Sequence, residues 1–393
     1  LCNVVYKAIS KILVDRLRPL LDKMVDSAQV AFVPSRCILE NIVLAQEIVH
    51  SFRHMKRKKG FLGVKIDFQK AYDRMEWRFI LRVLKAFGFN EQFINLIHQC
   101  LSTVHYSLLL NGGICPTFHL ERGLRQGDPL SPYLFILGSE VLMRLINREI
   151  IQHNLSGVKL ERTAPPISKL CYADDIILFC KATRAELSSL KECLEKYCHW
   201  SGQKISVEKS GVFPSKGVSP HFLNQIRAHW GLSKLPTSAK YLGIPLFLTP
   251  HRKMDLNDIK ERVENKLSSW KSKNLSWAGR ATLIKSVAFA IPSYSMAVLQ
   301  FPKGLCDQLD AIVRRFWWNP KSDKGSYSSP IAWDSLCWPL KEGGLGFRKF
   351  WEFNQALLAK LAWWLLEGRD CLCINLLRAK YKVRNNWLNH TAS

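Results

Sequence analysis

Two adjacent aspartates interrupt an apolar run, Leu170-Cys171-Tyr172-Ala173-Asp174-Asp175-Ile176-Ile177-Leu178-Phe179, and a third, Asp67, closes another, Phe61-Leu62-Gly63-Val64-Lys65-Ile66. Neighbouring anions in a half-buried setting repel each other and lose hydration, so something cationic should compensate them. If the two segments lie side by side, the three carboxylates converge. Hard oxygen donors of this kind suit magnesium, which binds a few carboxylates and keeps waters and substrate phosphates. Two such ions would activate an attacking 3′-hydroxyl and stabilise the leaving oxygen of pyrophosphate. The plain alternative is a surface turn, where Asp pairs are common; the flanking apolar residues argue against it. Compensation is expected from metal, with no basic partner assigned inside the motifs.

The elements that must position these groups are readable from spacing. Val5, Ile9, Ile12, Leu13 and Leu17 predict an opening amphipathic helix that Pro19 disturbs, and Ile38–Phe52 predicts a second. Val104–Leu110 and Ile114–Leu120 flank Asn111-Gly112, the dipeptide of a type I′ hairpin turn. The polar loop Arg122–Asp128 leads to Ser131-Pro132, an N-cap and first-turn pair for a helix over Tyr133–Ile150. Leu170–Cys180 reads as strand-turn-strand, 184–199 as a helix and Lys240–Phe247 as a short strand. Leu256, Ile259, Val263, Leu267 and Trp270 mark a further helix. Lys260, Arg262, Lys266, Lys271 and Lys273 surround it, an electrostatic footprint for a nucleic-acid backbone.

Composition narrows the partners. Lysine plus arginine number 57 against 32 aspartates plus glutamates, an excess of +25 that calls for a polyanion. Nucleic acid is the first reading and an anionic membrane surface the second. The 393 residues predict two or three packing units, and no apolar stretch reaches the roughly 20 residues of a membrane span. Twelve cysteines without a CxxC pair read as buried thiols in a reducing compartment. The run Lys56-Arg57-Lys58-Lys59 is a nuclear-import patch, a phosphate contact or a solvated loop. Trp317, Trp318, Trp333, Trp338, Trp351, Trp363 and Trp364 are core residues or stacking platforms for bases, with helical spacing favouring core. An opening on Leu1, already inside a helical pattern, suggests a fragment of a longer chain.

Five motifs, in order, carry a family resemblance. Tyr172-Ala173-Asp174-Asp175 looks like the YxDD box of reverse transcriptases. Asp67-Phe68-Gln69-Lys70-Ala71-Tyr72-Asp73 and Gly123-Leu124-Arg125-Gln126-Gly127-Asp128-Pro129-Leu130-Ser131-Pro132 resemble motifs of the non-LTR retrotransposon (LINE-type) and group II intron branch. Gln203–Ser210 and Tyr241-Leu242-Gly243-Ile244-Pro245-Leu246 fit its later palm motifs, and Gly343-Gly344-Leu345-Gly346-Phe347 looks like plant LINE-type polyproteins.

The resemblance implies an α+β right-hand polymerase: fingers at 1–60, truncated at the N-terminus, palm at 61–248, a helical thumb at 249–316 and a Trp-rich region at 317–393. It implies RNA-directed DNA synthesis by two-metal nucleotidyl transfer, with Mg2+ (two ions) or Mn2+ as cofactor and an RNA template, a DNA primer and deoxynucleoside triphosphates as partners. Asp67, Asp174 and Asp175 would be metal ligands. Tyr72 would exclude a 2′-hydroxyl, with a supporting core aromatic as the alternative. Gln126 would line the nucleotide pocket, Arg125 would contact phosphate, Arg36 would meet the incoming triphosphate or the template, and Lys209 would neutralise or protonate the leaving pyrophosphate. A nuclear site of action follows, or a cytoplasmic one. The competing reading is a non-catalytic, maturase-like RNA-binding protein or an inactive relic of an element, which would have no use for a compensated triple carboxylate.

Overall fold

The computed structural model describes residues 3–55, 60–248, 256–268, 274–321 and 326–383; the basic run 56–59 and Trp270, Lys271 and Lys273 lie outside them. The chain divides into two compact units, one of Leu1–Leu242 with Asp370–Arg384, the other built on Gly243–Arg369. No division falls near residue 60. The segments expected as thumb and Trp-rich region share the second unit as far as Arg369.

The first unit rests on a five-stranded sheet with a projecting hairpin. In chain order the strands are β1 (Phe61–Ile66), β2 (His105–Tyr106), β3 (Leu109–Leu110), β4 (Gly113–Ile114), β5 (Phe118–His119), β6 (Lys169–Tyr172), β7 (Asp175–Lys181), β8 (Gly211–Pro214) and β9 (Ser233–Lys234). The sheet runs β6-β7-β1-β8-β9, with β1 antiparallel to both its neighbours and β9 parallel to β8. Buried on both faces, β1 reads as an apolar run broken only by Lys65, without the alternation of a half-exposed strand.

On one face Leu62, Val64 and Ile66 join Ile176, Leu178, Cys180 and Val212 in a core shared with helices Trp77–Ala86, Ser131–Ile151 and Arg184–Ser201. On the other, Phe61, Phe179 and Phe213 gather round Phe52 of helix Ile38–His54, ring centroids 5.9 to 6.4 Å apart. A Cβ at Gly63 would meet the Phe213 ring at 2.1 Å, so the glycine is what lets that ring cross β1. Helix Leu372–Tyr381 returns to this unit, where Lys380 Nζ reaches Glu47 and, at 3.0 Å, Ser51 Oγ.

Several expectations meet the structure directly. Asn111 and Gly112 take φ of +48° and +83°, as a type I′ turn requires. The hairpin strands are shorter than expected, because the ladder breaks between its two halves where Pro116 has no N–H to donate. Helix Ser131–Ile151 forms, but Ser131 is not its cap: the Asp128 carboxylate accepts Leu130 N–H at 3.1 Å and places a negative charge at the helix start. The expected strand over Lys240–Phe247 shrinks to Lys240–Tyr241 and Ile244–Pro245. No helix among the described residues is long and apolar enough to cross a membrane.

In the second unit Ile259, Val263 and Leu267 bury one side of helix Asn257–Leu267 and leave Arg262 and Lys266 exposed. Trp317, Trp333 and Trp364 are core, while Trp338 and Trp363 are exposed. Asn354, fully buried in helix Phe350–Glu367, donates to Met296 O (2.8 Å) and Leu299 O (2.9 Å) and accepts from Phe301 N–H (2.8 Å). Asp310, in helix Lys303–Trp318, accepts Trp333 Nε1–H (3.3 Å) and Phe350 N–H (3.4 Å), and burial pushes its carboxyl up to about 6.

That carboxyl binds its proton more tightly folded than unfolded. Its favourable contribution is therefore complete near pH 3.8 and is lost as pH rises to about 6. Asp310→Asn keeps an oxygen for both donors. It should raise stability at pH 7 by about 1–2 kcal/mol, once solvent screening is counted, and by little near pH 4. Thermal melts at the two pH values, followed by tryptophan fluorescence, measure the difference.

Candidate active site

The site forms where β1 and β7 end. Ile66 lies opposite Ile176, so one further residue sets Asp67 opposite Asp175. Like charges directly opposite in a sheet are destabilising. The compensating cation is Lys65, buried two residues before Asp67 on the same strand face, with Nζ 2.9 Å from Asp175 Oδ1. This corrects the expectation that the motifs hold no basic partner. The signal was present: a lone lysine in a wholly apolar strand.

Asp174 occupies the β6–β7 turn, whose closing pair is Tyr172 and Asp175. Burial raises its carboxyl above the usual range; the Asp175 and Asp67 carboxylates add to this and Lys65 opposes it. Ala173 takes φ +53°, a left-handed conformation that costs an L-residue roughly 1–2 kcal/mol. The Gln29 side chain offsets it: Oε1 accepts both Ala173 N–H and Ala31 N–H at 3.0 Å. Asn41 Nδ2 donates to Cys171 O at 2.8 Å. Gln29 and Asn41 escaped the sequence reading, because nothing local marks a contact made across more than a hundred residues.

Asp67 is fixed through its backbone. Its N–H donates to Ser210 Oγ (3.0 Å) and its carbonyl accepts Ser206 N–H (2.8 Å). The segment Gln203–Ser210 is thereby brought to Asp67, with Lys209 exposed in the tight turn closed by Ser210 N–H on Ser206 O at 2.9 Å.

Beyond Asp67 the chain turns at Lys70, φ +46°, into the short helix Ala71–Arg74. Tyr72 stacks on Phe135, centroids 4.8 Å apart and planes 6° apart. Its hydroxyl is pushed up to about 12 by burial, with the Asp174 charge adding. Tyr72 O accepts Leu124 N–H and Met75 O accepts Gly123 N–H, both at 2.8 Å. Gly123 has φ +95°, and a Cβ there would meet Asp73 O at 2.8 Å, so no side chain fits this join.

The loop that follows this join carries Arg125, Gln126 and Asp128. Gln126 is exposed and, with Asp73, lines an open groove of about 900 Å³. Arg125 lies over the Tyr6 ring at 3.7 Å and donates to Cys100 O at 2.9 Å. Buried Asp128 accepts from Tyr6 OH (2.9 Å) and Ser10 Oγ, tying helix Val4–Leu17 to this loop. Arg36 has a structural occupation: its guanidinium donates to Asp26 O (2.6 Å), Gln29 O (2.7 Å) and Val25 O (3.2 Å) and pairs with Asp22 at 3.0 Å. It stiffens the segment that presents Gln29.

Among the described residues no three His, Cys, Asp or Glu side chains close into metal-ligating geometry. Asp67 and Asp174 nevertheless fit magnesium, which needs one or two carboxylates and completes its shell with water and phosphate oxygens. The carboxyl oxygens are hard donors, and the upward push on Asp174 by its acidic neighbours is charge that a cation would relieve.

A family model described as "Reverse transcriptase (RNA-dependent DNA polymerase)" matches residues 1–246. The chain is 27% identical over 344 residues to a Transposon TX1 uncharacterized 149 kDa protein of Xenopus laevis, covering 87% of this chain and 25% of that protein. It is 26% identical over 358 residues to the Retrovirus-related Pol polyprotein from type-2 retrotransposable element R2DM of Drosophila melanogaster, covering 88% and 31%. The chain thus spans between a quarter and a third of these relatives. An apo telomerase structure from Candida Tropicalis aligns at 12% identity and TM-score 0.43, covering 79% of this chain and 49% of that one, a likeness too slight to carry an argument.

Lys65→Met should cost roughly 2–4 kcal/mol, because it leaves Asp175 half-buried without its cation. Lys65→Met with Asp175→Asn should recover most of that loss. Urea midpoints of the single and double variants measure the coupling, and equal midpoints would show that the pair does not restrain the site.

Proposed function

The chain belongs to the reverse transcriptase (RNA-dependent DNA polymerase) family, and from that premise we propose that it extends a DNA primer 3′-end with deoxynucleotides along an RNA template, as part of a non-LTR retrotransposon polyprotein. The observation that carries this reading is the set of three carboxylates at the β1–β7 end, with one lysine built in to tolerate them. A protein that only bound RNA would gain nothing from burying that repulsion.

Asp67 and Asp174 would hold Mg2+, with Asp175 beside them steadied by Lys65. When bound, the metal supplies a more acidic 3′-hydroxyl and charge stabilisation at the leaving pyrophosphate. The chain's own residues do the rest. Gln29 and Asn41 hold the β6–β7 hairpin, and Ser206 and Ser210 hold Asp67, so both acids are placed before substrate arrives. Tyr72, flat on Phe135, presents a rigid edge to the sugar of the incoming nucleotide, and Gln126 faces the base pair being formed. Lys209, on a turn fastened to Asp67, gives a proton to the leaving pyrophosphate. Arg125 meets phosphate by leaving Tyr6, whereas Arg36 acts by stiffening residues 22–29. Arg262 and Lys266 meet nucleic-acid phosphates, and the work is done in the nucleus.

Primer extension by the full chain on an RNA template with Mg2+ tests the reading. Asp67→Asn and Asp174→Asn should each abolish extension while leaving RNA–DNA hybrid binding within about twofold. Loss of binding in step with loss of synthesis would refute the assignment.

Tyr72 tests sugar selection separately. Tyr72→Val should raise ribonucleotide incorporation roughly 10–100-fold relative to deoxynucleotide, and Tyr72→Phe should leave selectivity unchanged. A stable Tyr72→Val protein with unaltered selectivity would make the ring a supporting core residue.

A further inference from the structure

The hairpin β2–β5 takes no part in the chemistry above, and its two ends differ. At the stem, Tyr106 and Phe118 stack with centroids 6.0 Å apart and planes at 25°, and His105 packs edge-on to His119 at 4.3 Å. His105, Tyr106 and Phe118 line the 900 Å³ groove, which also takes in Arg122, Arg125 and Gln126. At the tip, Leu108, Leu109, Leu110 and Ile114 stand 63%, 74%, 67% and 78% exposed around Asn111-Gly112. Isolated surface leucines need no explanation, but here Leu109 pairs with Ile114 on one face of the hairpin while Leu108 and Leu110 alternate to the other, so the tip is aliphatic on both sides.

We propose that this hairpin separates base-paired template: the aliphatic tip stacks on the terminal base pair, and the released strand runs along the stem to Gln126. The inference rests on the polymerase reading and adds a strand-parting element to it. Apolar side chains wedged at base steps unstack them. Tyrosine and phenylalanine faces hold single-stranded bases whatever their sequence. Arg122, resting on Glu76 at 3.4 Å, offers a cation to the strand's phosphates, within a chain whose net charge of +25 already favours nucleic acid. The groove volume is that of a site for small molecules or a few nucleotide units, roughly 300–1,000 Å³. A second copy of the chain is the weaker occupant, since a stable protein interface recruits about 20–30 residues a side and the tip offers four.

Bonds outside the ladder brace the hairpin along its length. The left-handed Asn111-Gly112 turn fixes the tip, Cys115 N–H donates to Leu108 O at 2.8 Å, and Ser107 Oγ bonds Thr117 Oγ1 at 3.0 Å between its two halves.

The test compares primer extension by the full chain on two RNA templates of one sequence, one open and one with a complementary strand annealed ahead of the primer. The wild-type chain should copy both. Leu109→Ser with Leu110→Ser and Ile114→Ser should lower full-length product on the blocked template about tenfold and leave the open template within twofold. Equal performance of that variant on both templates overturns the proposal, as does a wild-type chain that copies the open template but stalls at the block. A wild-type chain that copies neither refutes the polymerase reading instead. Sedimentation closes the remaining route: a wild-type dimer that the variant loses would assign the tip to a second copy and overturn the separator, whereas an unchanged monomer supports it.

Discussion

Everything at this site depends on the placement of one ammonium group. β1 and β7 are held in register by their ladder, and that register forces Asp67 and Asp175 to face each other. Without Lys65 on the same face of β1, the end of the sheet would carry uncompensated negative charge against a buried core. The pair engages Asp175 and, in the proposed reading, leaves Asp67 and Asp174 for a divalent cation. The same contact thus lets the sheet end with its acids grouped at one edge.

Long-range side-chain bonds then remove the remaining freedom. Gln29 steadies an alanine in a conformation that alanine resists, and Arg36 steadies the segment bearing Gln29 by gathering its carbonyls. Ser206 and Ser210 do for Asp67 what Gln29 does for the hairpin. Asp128 binds the opening helix to the start of Ser131–Ile151. Each of these groups is polar and largely buried, and Gln29, Ser206, Ser210 and Asp128 each bond a residue more than a hundred positions away in the chain.

That distance explains what could be read from sequence. The acids, the I′ turn at Asn111-Gly112 and the helices Ile38–His54 and Arg184–Ser201 show themselves through local pattern, and so does the buried stripe of Asn257–Leu267. Arg36 resembles a family arginine that meets the triphosphate or the template, and its bonds to three backbone carbonyls are a contact no motif displays. Ser131 has the residue type of a cap, yet it lies inside the helix and its hydroxyl donates to Asp128 at 3.4 Å. Lys65 stands out in sequence as a single charge in an apolar strand, but its partner is known only once the opposite strand is placed. The unit boundary at Leu242 lies close to the expected end of the palm, but the return of Leu372–Tyr381 to the first unit depends on tertiary packing alone.

The return of that last helix sets an order of events during synthesis. Gly243–Arg369 is a stretch of 127 residues inserted before the first unit receives its closing element. At about 5–20 residues per second, a ribosome needs roughly 6–25 s to traverse it. For that interval the outer side of helix Ile38–His54, where Glu47 and Ser51 will meet Lys380, stands without its partner while the sheet beneath has everything it needs to form. The nascent chain must therefore hold an almost finished first unit and wait, and closing it requires a contact more than 300 residues long in sequence. The closure is late because its residues are made late, and until then that helix face is open to other contacts.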